Sequence, residues 1–230
     1  MFLRAALLDA PPEPTWLRDL PVVRALLEHP LEFTTAVTLI SGENGAGKST
    51  LVEALAVASG CNPEGGSRHA RMAVLDQSVS PLHEFLRLRR RNAPDSFFLR
   101  GESFYNLAAW YETLGPEMDD LLHMSHGESL MALIERRFHG GGLFFLDEPE
   151  AGLSNLRQLE LLGRLFHLAA QGSQIILATH SPILLAIPGA RILEVDADGI
   201  HERRLEDTEA YRAAREFAAD PVGTATFLTS

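Results

Sequence analysis

Residues 41–50 read SGENGAGKST, with glycine at positions 42, 45 and 47 directly before Lys48 and Ser49. Gly42 to Ser49 fits the pattern G-x-x-x-x-G-K-[ST], in which glycines let successive backbone N–H groups wrap a phosphate. The β-branched segment before it, residues 31–40, predicts a strand, and residues 50–59 predict a helix. A glycine loop between a strand and a helix predicts a phosphate site, because the N-terminus of the helix is directed at the anion.

The loop residues have distinct expected roles. Lys48 is expected to reach the β- and γ-phosphates of a nucleotide, and the Ser49 hydroxyl is expected to bind Mg²⁺. The predicted nucleotide-binding residues are Gly42, Glu43, Asn44, Gly45, Ala46, Gly47, Lys48, Ser49 and Thr50.

The composition is that of a single globular unit. The chain has 230 residues, of which 46% are hydrophobic and 22% charged, enough for one substantial core. A formal net charge of −11 argues against a generally basic nucleic-acid binder. The one cysteine, Cys61, excludes an internal disulfide and fits a reducing compartment. Neither a signal sequence nor a run of about 18 apolar residues is found, so we expect a cytoplasmic protein without membrane insertion.

Helical and extended patterns alternate along the chain, which predicts an α/β fold. The segments on both sides of Asp198-Gly199, residues 191–195 and 200–204, predict a β-hairpin. With no repeat and no linker, residues 1–230 are expected to form one domain. Further strands are predicted at 96–99, 143–146 and 174–178, and further helices at 81–91, 103–114, 129–138, 155–170 and 208–219.

Two acids follow the apolar run at 143–146, in the order Asp147-Glu148. A strand buried in a parallel sheet is continuously apolar, and such sheets bind ligands at the carboxyl ends of their strands. Asp147 is therefore predicted to hold Mg²⁺, and Glu148 to polarise the attacking water as general base. The alternative is a solvated strand end that carries two charges.

Four motifs in order carry a resemblance to a known family: GENGAGKST (42–50), MSHGES (124–129), LFFLDEPEAGLS (143–154) and ATHSP (178–182). They resemble the ATP-binding cassette (ABC) ATPases, and within them the small stand-alone bacterial group related to RecF and SMC-type heads. The resemblance implies a P-loop NTPase of ABC-ATPase type that hydrolyses ATP. Its mostly parallel central sheet is flanked by helices, and it has a small antiparallel β part and a short helical lobe, with the signature, at about 78–138.

The resemblance gives the signature position to Ser125, His126, Gly127 and Glu128. The usual pattern is Leu-Ser-Gly-Gly-Gln, from which His126 and Glu128 depart. In the family this helix acts in trans, so the resemblance implies an ATP-dependent, head-to-tail homodimer around two ATP molecules. From the residues alone, Ser125 and Gly127 predict a helix N-terminus able to meet an anion, and a plain helix cap is the alternative.

Two further segments resemble family motifs. Residues 151–154 resemble the D-loop, although DEPEAGLS departs from the DEP-[ST]-x-x-L-D of transporters. His180 resembles the switch histidine, and we predict it to be catalytic together with Glu148. Ser181 and Pro182 also predict a helix cap, which would explain a histidine here on structural grounds alone.

Two functional positions stay open at this point. Glu102, after a predicted strand, is the preferred candidate for the Q-loop residue, Gln77 is its rival, and Arg100 is a candidate phosphate contact. Trp16 and Phe33 are candidates for stacking on adenine and would serve equally well as core residues.

Three functions compete. The first is an ATPase whose ATP-driven dimerisation acts on DNA, in maintenance or defence, or on a partner protein. Residues 86–91, LRLRRR, form the one basic cluster and could contact phosphates, or they could be a solvated helix end. The second is the ATP-binding subunit of an ABC transporter. The third is an ATP-dependent clamp with little hydrolysis, against which Glu148 and His180 together argue.

Overall fold

The computed structural model describes residues 1–67, 79–101, 104–112 and 121–229. The strands in this part of the chain are β1 (Leu3–Leu8), β2 (Leu31–Glu32), β3 (Val37–Gly42), β4 (Gly66–Ser67), β5 (Leu86–Arg90), β6 (Ser96–Arg100), β7 (Leu143–Asp147), β8 (Gln174–Ala178), β9 (Arg191–Asp196) and β10 (Gly199–Arg203). The α-helices are α1 (Thr15–Arg18), α2 (Pro21–Glu28), α3 (Lys48–Ala58), α4 (Leu82–Phe85), α5 (Phe104–Glu112), α6 (His126–Arg137), α7 (Asn155–Ala170), α8 (Glu209–Ala219) and α9 (Pro221–Thr229).

The main sheet has the strand order β10-β9-β3-β8-β7-β6-β4. The pairs from β9 to β6 are parallel, and only the outermost pairs, β10 with β9 and β4 with β6, are antiparallel. Ala178 is level with Ile40 on one side and with Asp147 on the other. The three central strands therefore end side by side, and their loops leave from one edge. The predicted α/β class and mostly parallel sheet are confirmed.

Both faces of this sheet are buried, and the side chains of adjacent aromatic residues pack on opposite faces. On β7, Phe144 packs into one core cluster and Phe145 into the other. On β6, Phe97 and Phe98 divide in the same way. Consecutive strand residues point to opposite sides, so a double aromatic supplies both cores. Helices α5, α6 and α7 cover one face, whereas α2, α3 and the small sheet cover the other.

A second sheet, β2-β1-β5, is small and antiparallel. The segment 31–40 was expected to be one strand and is two: β2 pairs with β1 in the small sheet, and β3 lies in the main sheet. The structure thus contains the small antiparallel part that the resemblance implied, and the chain crosses between the two sheets within this segment.

The helix predicted at 81–91 is wrong for most of its length. A single helical turn, α4, is followed by β5, which pairs with β1 so that Leu86 lies opposite Leu8 and Leu88 opposite Ala6. Leu86 and Leu88 pack against the core, whereas Arg87 and Arg89 between and after them are exposed. This alternation has the period of a strand, and the pairing with β1 decides the conformation.

The other predicted helices and strands are found, with ends shifted by a few residues. Of the helix predicted at 103–114, the described part is α5. The hairpin is confirmed, with Gly199 at φ 134° at the start of β10. Helix α2, which begins at Pro21, was not predicted, nor were β1, α1 and α9. Within the described residues, no helix is sufficiently long and apolar to cross a membrane.

Candidate functional site

The phosphate-loop sequence joins β3 to α3 in a conformation that requires glycine. Gly42 has φ 126°, and a Cβ there would lie 1.9 Å from the carbonyl oxygen of Val195 on β9. Gly47 has φ 92°, and its Cβ would lie 2.5 Å from Val22 Cγ1 on α2. Both glycines therefore allow a positive φ and a close approach that other residues would prevent. The loop is held between the central sheet and α2.

Lys48 is buried in the first turn of α3 and folds back across the loop. Its Nζ donates to the carbonyl oxygen of Gly42 at 2.9 Å and of Glu43 at 2.6 Å. Burial lowers the pKa of Lys48, while the carboxylates of Glu148, Asp147 and Glu43 act in the opposite direction. The ammonium group is thus close enough to both acids of the β7 end to interact with them electrostatically.

Asp147 and Glu148 leave the sheet in different environments. Asp147 is the last residue of β7 and is buried, whereas the side chain of Glu148 is 42% exposed. Glu148 adopts φ 47°, the one positive φ among the described non-glycine residues. Such a conformation costs about 1–3 kcal/mol and is found most often at functional sites. Its backbone is fixed, because its N–H donates to the carbonyl of Ala178 at 3.0 Å.

His180 leaves β8 beside Glu148. Its Nε2 lies 3.6 Å from Glu148 Oε1, and its side chain is 39% exposed. It also lines a cleft of about 360 Å³ with the start of the phosphate loop and with α8. The residues lining this cleft are Ser41, Gly42, Glu43, Asn44, His180, Glu209, Ala210 and Ala213. The structure therefore brings His180, both acids and the phosphate loop to one edge of the sheet.

The donors at this edge suit a magnesium ion that is bound with a nucleotide. The described residues contain no group of three or more His, Cys, Asp or Glu side chains able to enclose a metal ion. In phosphoryl-transfer sites Mg²⁺ needs only one or two protein ligands, because phosphates and water complete its coordination. The half-buried Ser49 in the first turn of α3 and the buried Asp147 at the end of β7 provide oxygen ligands of this type.

The predicted signature residues begin α6, as a helix cap would. Ser125 is the N-cap, and its backbone N–H and hydroxyl both donate to Glu128 Oε2, at 3.1 and 2.6 Å. The hydrogen bond from the Ser125 hydroxyl is the main reason that the pKa of Glu128 is lowered. Both side chains are exposed, so the start of α6 is accessible to another molecule. His126 and Gly127 contact the segment 151–153 of the same chain.

The candidates for the Q-loop residue, the phosphate contact and the adenine contact lie in different environments. Glu102 and Gln77 both lie outside the described residues. Arg100 pairs with Glu53 of α3, at 3.0 Å between Nη1 and Oε2, which gives it a structural role. Phe33 is 2% exposed and packs in the core, whereas Trp16 is 52% exposed. Trp16 lines a cavity of about 250 Å³ with residues of α3 that include Ser49 and Thr50.

Glu150 belongs to this site and was not predicted. Its Oε1 accepts hydrogen bonds from Thr179 Oγ1, His180 N and Ser181 N. Ser181 Oγ accepts from the backbone N–H of Ile183 and of Leu184, as the predicted cap would, but the helix that follows is a single 3₁₀ turn, Leu184–Ala186, whose N-cap residue is Ile183. The sequence signal for Glu150 was its departure from the DEP-[ST] pattern.

Two protein-family models match parts of the chain. Residues 23–87 match a family described as an AAA domain. Residues 128–186 match a family described as "AAA domain, putative AbiEii toxin, Type IV TA system".

Two curated relatives are membrane transport proteins by name. The macrolide export ATP-binding/permease protein MacB of Marinobacter nauticus is 28% identical over 76% of this chain and 34% of that protein. The ABC transporter G family member STR2 of Medicago truncatula is 27% identical over 64% of this chain and 24% of that protein. The chain thus spans about a third or less of the length of these relatives.

A solved ABC transporter structure shares the fold with this chain at low sequence identity. A metal-chelate type ABC transporter in an inward-facing conformation gives a TM-score of 0.53 at 16% identity, over 93% of this chain and 88% of that one. The SMC head domain from Thermotoga maritima gives 0.49 at 14% identity, over 89% and 100%.

Proposed function

We propose that this chain, which has the fold and motif order of an ABC-type ATPase, binds ATP with Mg²⁺ and hydrolyses it in a head-to-tail homodimer. The family resemblance supports ATP binding and hydrolysis in general. One observation carries the proposal for this chain: Glu148 stands at the sheet edge in a strained backbone conformation, 3.6 Å from His180. A protein that only binds nucleotide has no need of this pair.

The phosphate loop holds the nucleotide in this proposal. Backbone N–H groups of residues 42–50 surround the phosphates, and the Lys48 ammonium exchanges its bonds to the Gly42 and Glu43 carbonyls for phosphate oxygens. Bound ATP with its magnesium ion supplies the reactive phosphoanhydride and neutralises part of its charge. Ser49 and Asp147 orient that ion.

Glu148 and His180 act on the attacking water. Glu148 is in the position of a general base, because its carboxylate is accessible while its backbone is held to β8. His180, which lies 3.6 Å from Glu148 and lines the cleft beside the phosphate loop, would contact the water and the γ-phosphate. Loss of a positioned base typically lowers the rate by about 10²–10⁴-fold.

The exposed start of α6 supports the dimer. Ser125 and Glu128 are exposed at a helix N-terminus, where backbone N–H groups favour an anion. We propose that this surface closes over the ATP of a second copy, so that each site contains residues of both chains. Residues 1–230 act as one domain in this arrangement.

The test is Glu148→Gln, which keeps the shape of the side chain and removes the base. We expect at least about a hundredfold loss of ATP turnover and an ATP-bound dimer in size-exclusion chromatography with light scattering. Glu202→Gln on β10, at an exposed ion pair with Arg191, is the matched control and should hydrolyse normally. A Glu148→Gln protein that stays monomeric with ATP and hydrolyses at the normal rate contradicts the mechanism.

Two observations favour different uses of this ATPase. The curated relatives favour a transporter subunit, which co-purification with a membrane permease would establish. The exposed arginines of β5 favour DNA contacts with strong salt dependence. Stimulation of ATPase activity by DNA that is lost when Arg89, Arg90 and Arg91 are replaced by alanine would support the second use.

A further inference from the structure

A single carboxylate oxygen organises the turn that carries His180. Glu150 Oε1 accepts from Thr179 Oγ1 at 2.6 Å, from His180 N at 2.7 Å and from Ser181 N at 3.2 Å. Hydrogen bonds to an ionised acceptor are stronger than neutral ones. Glu150 therefore fixes this turn together with the bonds from Thr179 N–H to the Ile40 carbonyl at 3.0 Å and from the Ser181 hydroxyl to Gln158 Oε1 at 2.6 Å.

The conformation of this turn determines where the His180 ring can lie. The ring is partly exposed, and Glu148 Oε1, at 3.6 Å from Nε2, is just beyond hydrogen-bonding distance. Glu150 thus holds the backbone N–H of the residue from which the ring extends. Displacement of a catalytic group by about 1 Å can lower a rate by about a hundredfold.

The same segment contacts the signature helix at its other end. His126 Nε2 lies 2.9 Å from the carbonyl oxygen of Ala151, and because a carbonyl only accepts, this nitrogen carries the proton. A Cβ at Gly152 would lie 2.8 Å from His126 Cδ2, and one at Gly127 would lie 3.2 Å from Leu153 Cδ2. Residues 150–153 therefore connect the start of α6 to the turn after β8.

We propose that Glu150 is a positioning residue for His180, and that the contact between His126 and Ala151 holds the segment that carries Glu150 at its other end. This role rests on the proposed function, in which His180 acts on the attacking water. Glu150 stands where serine or threonine is usual in the transporter pattern DEP-[ST]-x-x-L-D.

The positioning role is tested by a double-variant cycle. Glu150→Ala should lower kcat by about tenfold or more with the KM for MgATP within about twofold of normal, and Glu150→Gln, which keeps an acceptor oxygen, should recover part of the loss. If Glu150 acts through His180, Glu150→Ala combined with His180→Ala should be no slower than His180→Ala alone. Rate losses that multiply overturn the role, as does a normal kcat for Glu150→Ala.

A second measurement does not depend on hydrolysis. The imidazole resonances of His180, assigned by NMR from the His180→Ala spectrum, should shift or broaden in Glu150→Ala and stay unchanged in the control Glu202→Ala. If the normal protein fails to hydrolyse ATP, the proposed function is wrong, and the His180 resonances still decide the role of Glu150. Unchanged His180 resonances in Glu150→Ala contradict it.

Discussion

Replacing Arg100 by leucine removes the charge that compensates Glu53 beneath the phosphate-loop helix and keeps most of the side-chain volume. Glu53 on α3 is 6% exposed in its side chain and accepts from Arg100 Nη1 at 3.0 Å and from the backbone N–H of Ser80 at 2.8 Å. In Arg100→Leu the Glu53 carboxylate keeps the hydrogen bond from Ser80 N–H and loses the ion pair with the Arg100 guanidinium.

The expected cost follows from this burial. Breaking a buried ion pair on one side costs about 3–5 kcal/mol, and the lower figure applies because the Arg100 side chain is 20% exposed. For a chain of this size, about 3 kcal/mol lowers Tm by roughly 6–12 °C. Burial raises the pKa of Glu53, and the bond from Ser80 and the charge of Arg100 act against this rise. The pKa of Glu53 should therefore rise further in Arg100→Leu.

The sign of the pH dependence is fixed by that direction. A carboxyl group whose pKa is raised on folding favours the folded state at acidic pH, and this contribution is lost as the pH rises through the raised pKa. The deficit of Arg100→Leu should thus be largest at neutral pH and decrease on acidification. Urea unfolding at several pH values measures it, and Glu53→Gln in the Arg100→Leu background should recover at least about half of the loss at neutral pH.

Two results would refute this reasoning. One is a neutral-pH unfolding free energy for Arg100→Leu within about 0.5 kcal/mol of normal, which is the range of an ordinary surface substitution. The other is a deficit that is independent of pH and persists in the double variant, since the loss would then come from packing and not from the uncompensated carboxylate.

Two further predictions concern the phosphate loop and the adenine candidates. Gly42→Ala should abolish nucleotide binding in calorimetry, because the added Cβ would lie 1.9 Å from the Val195 carbonyl oxygen. The control Gly163→Ala on α7, where a Cβ meets no atom within 4 Å, should bind normally and gain up to about 1 kcal/mol of stability. Equal effects of the two substitutions on binding would contradict the steric argument. Trp16→Ala should weaken ATP binding with little change in Tm, because this side chain is exposed. Phe33→Ala should cost about 3–5 kcal/mol of stability, while the protein that remains folded binds ATP normally. Normal binding by Trp16→Ala together with weakened binding by Phe33→Ala would exclude Trp16 as the adenine contact.

The central layers of the fold could be predicted because their signals are local. The strand that ends in Asp147 and the loop that ends at Lys48 each combine an apolar run with a distinctive terminus. The small sheet could not be predicted in this way. Leu86 to Arg90 has a helix-forming composition but a strand-like alternation, and the pairing with β1, about eighty residues earlier in the chain, decides between the two.

Within the site, the elements that could be predicted are those that the chain carries on contiguous residues. The interaction of Glu150 with the turn after β8 joins positions 29 to 31 residues apart, so no spacing reveals it before the strands are arranged. The buried state of Phe33 and the pairing of Arg100 with Glu53 depend in the same way on tertiary contacts.

The strand order has a consequence for how this protein assembles. The phosphate-loop sequence follows β3, Asp147 and Glu148 lie at the end of β7 and His180 follows β8, yet the three strands are neighbours in the sheet. A partly folded chain that lacks any one of them presents no complete site, and such long-range pairings form late because of their loop-closure entropy. Nucleotide should therefore bind only to the fully assembled sheet, so that its affinity adds directly to the free energy of global unfolding. Ligand concentration then acts on the lifetime of the whole chain as well as on its chemistry.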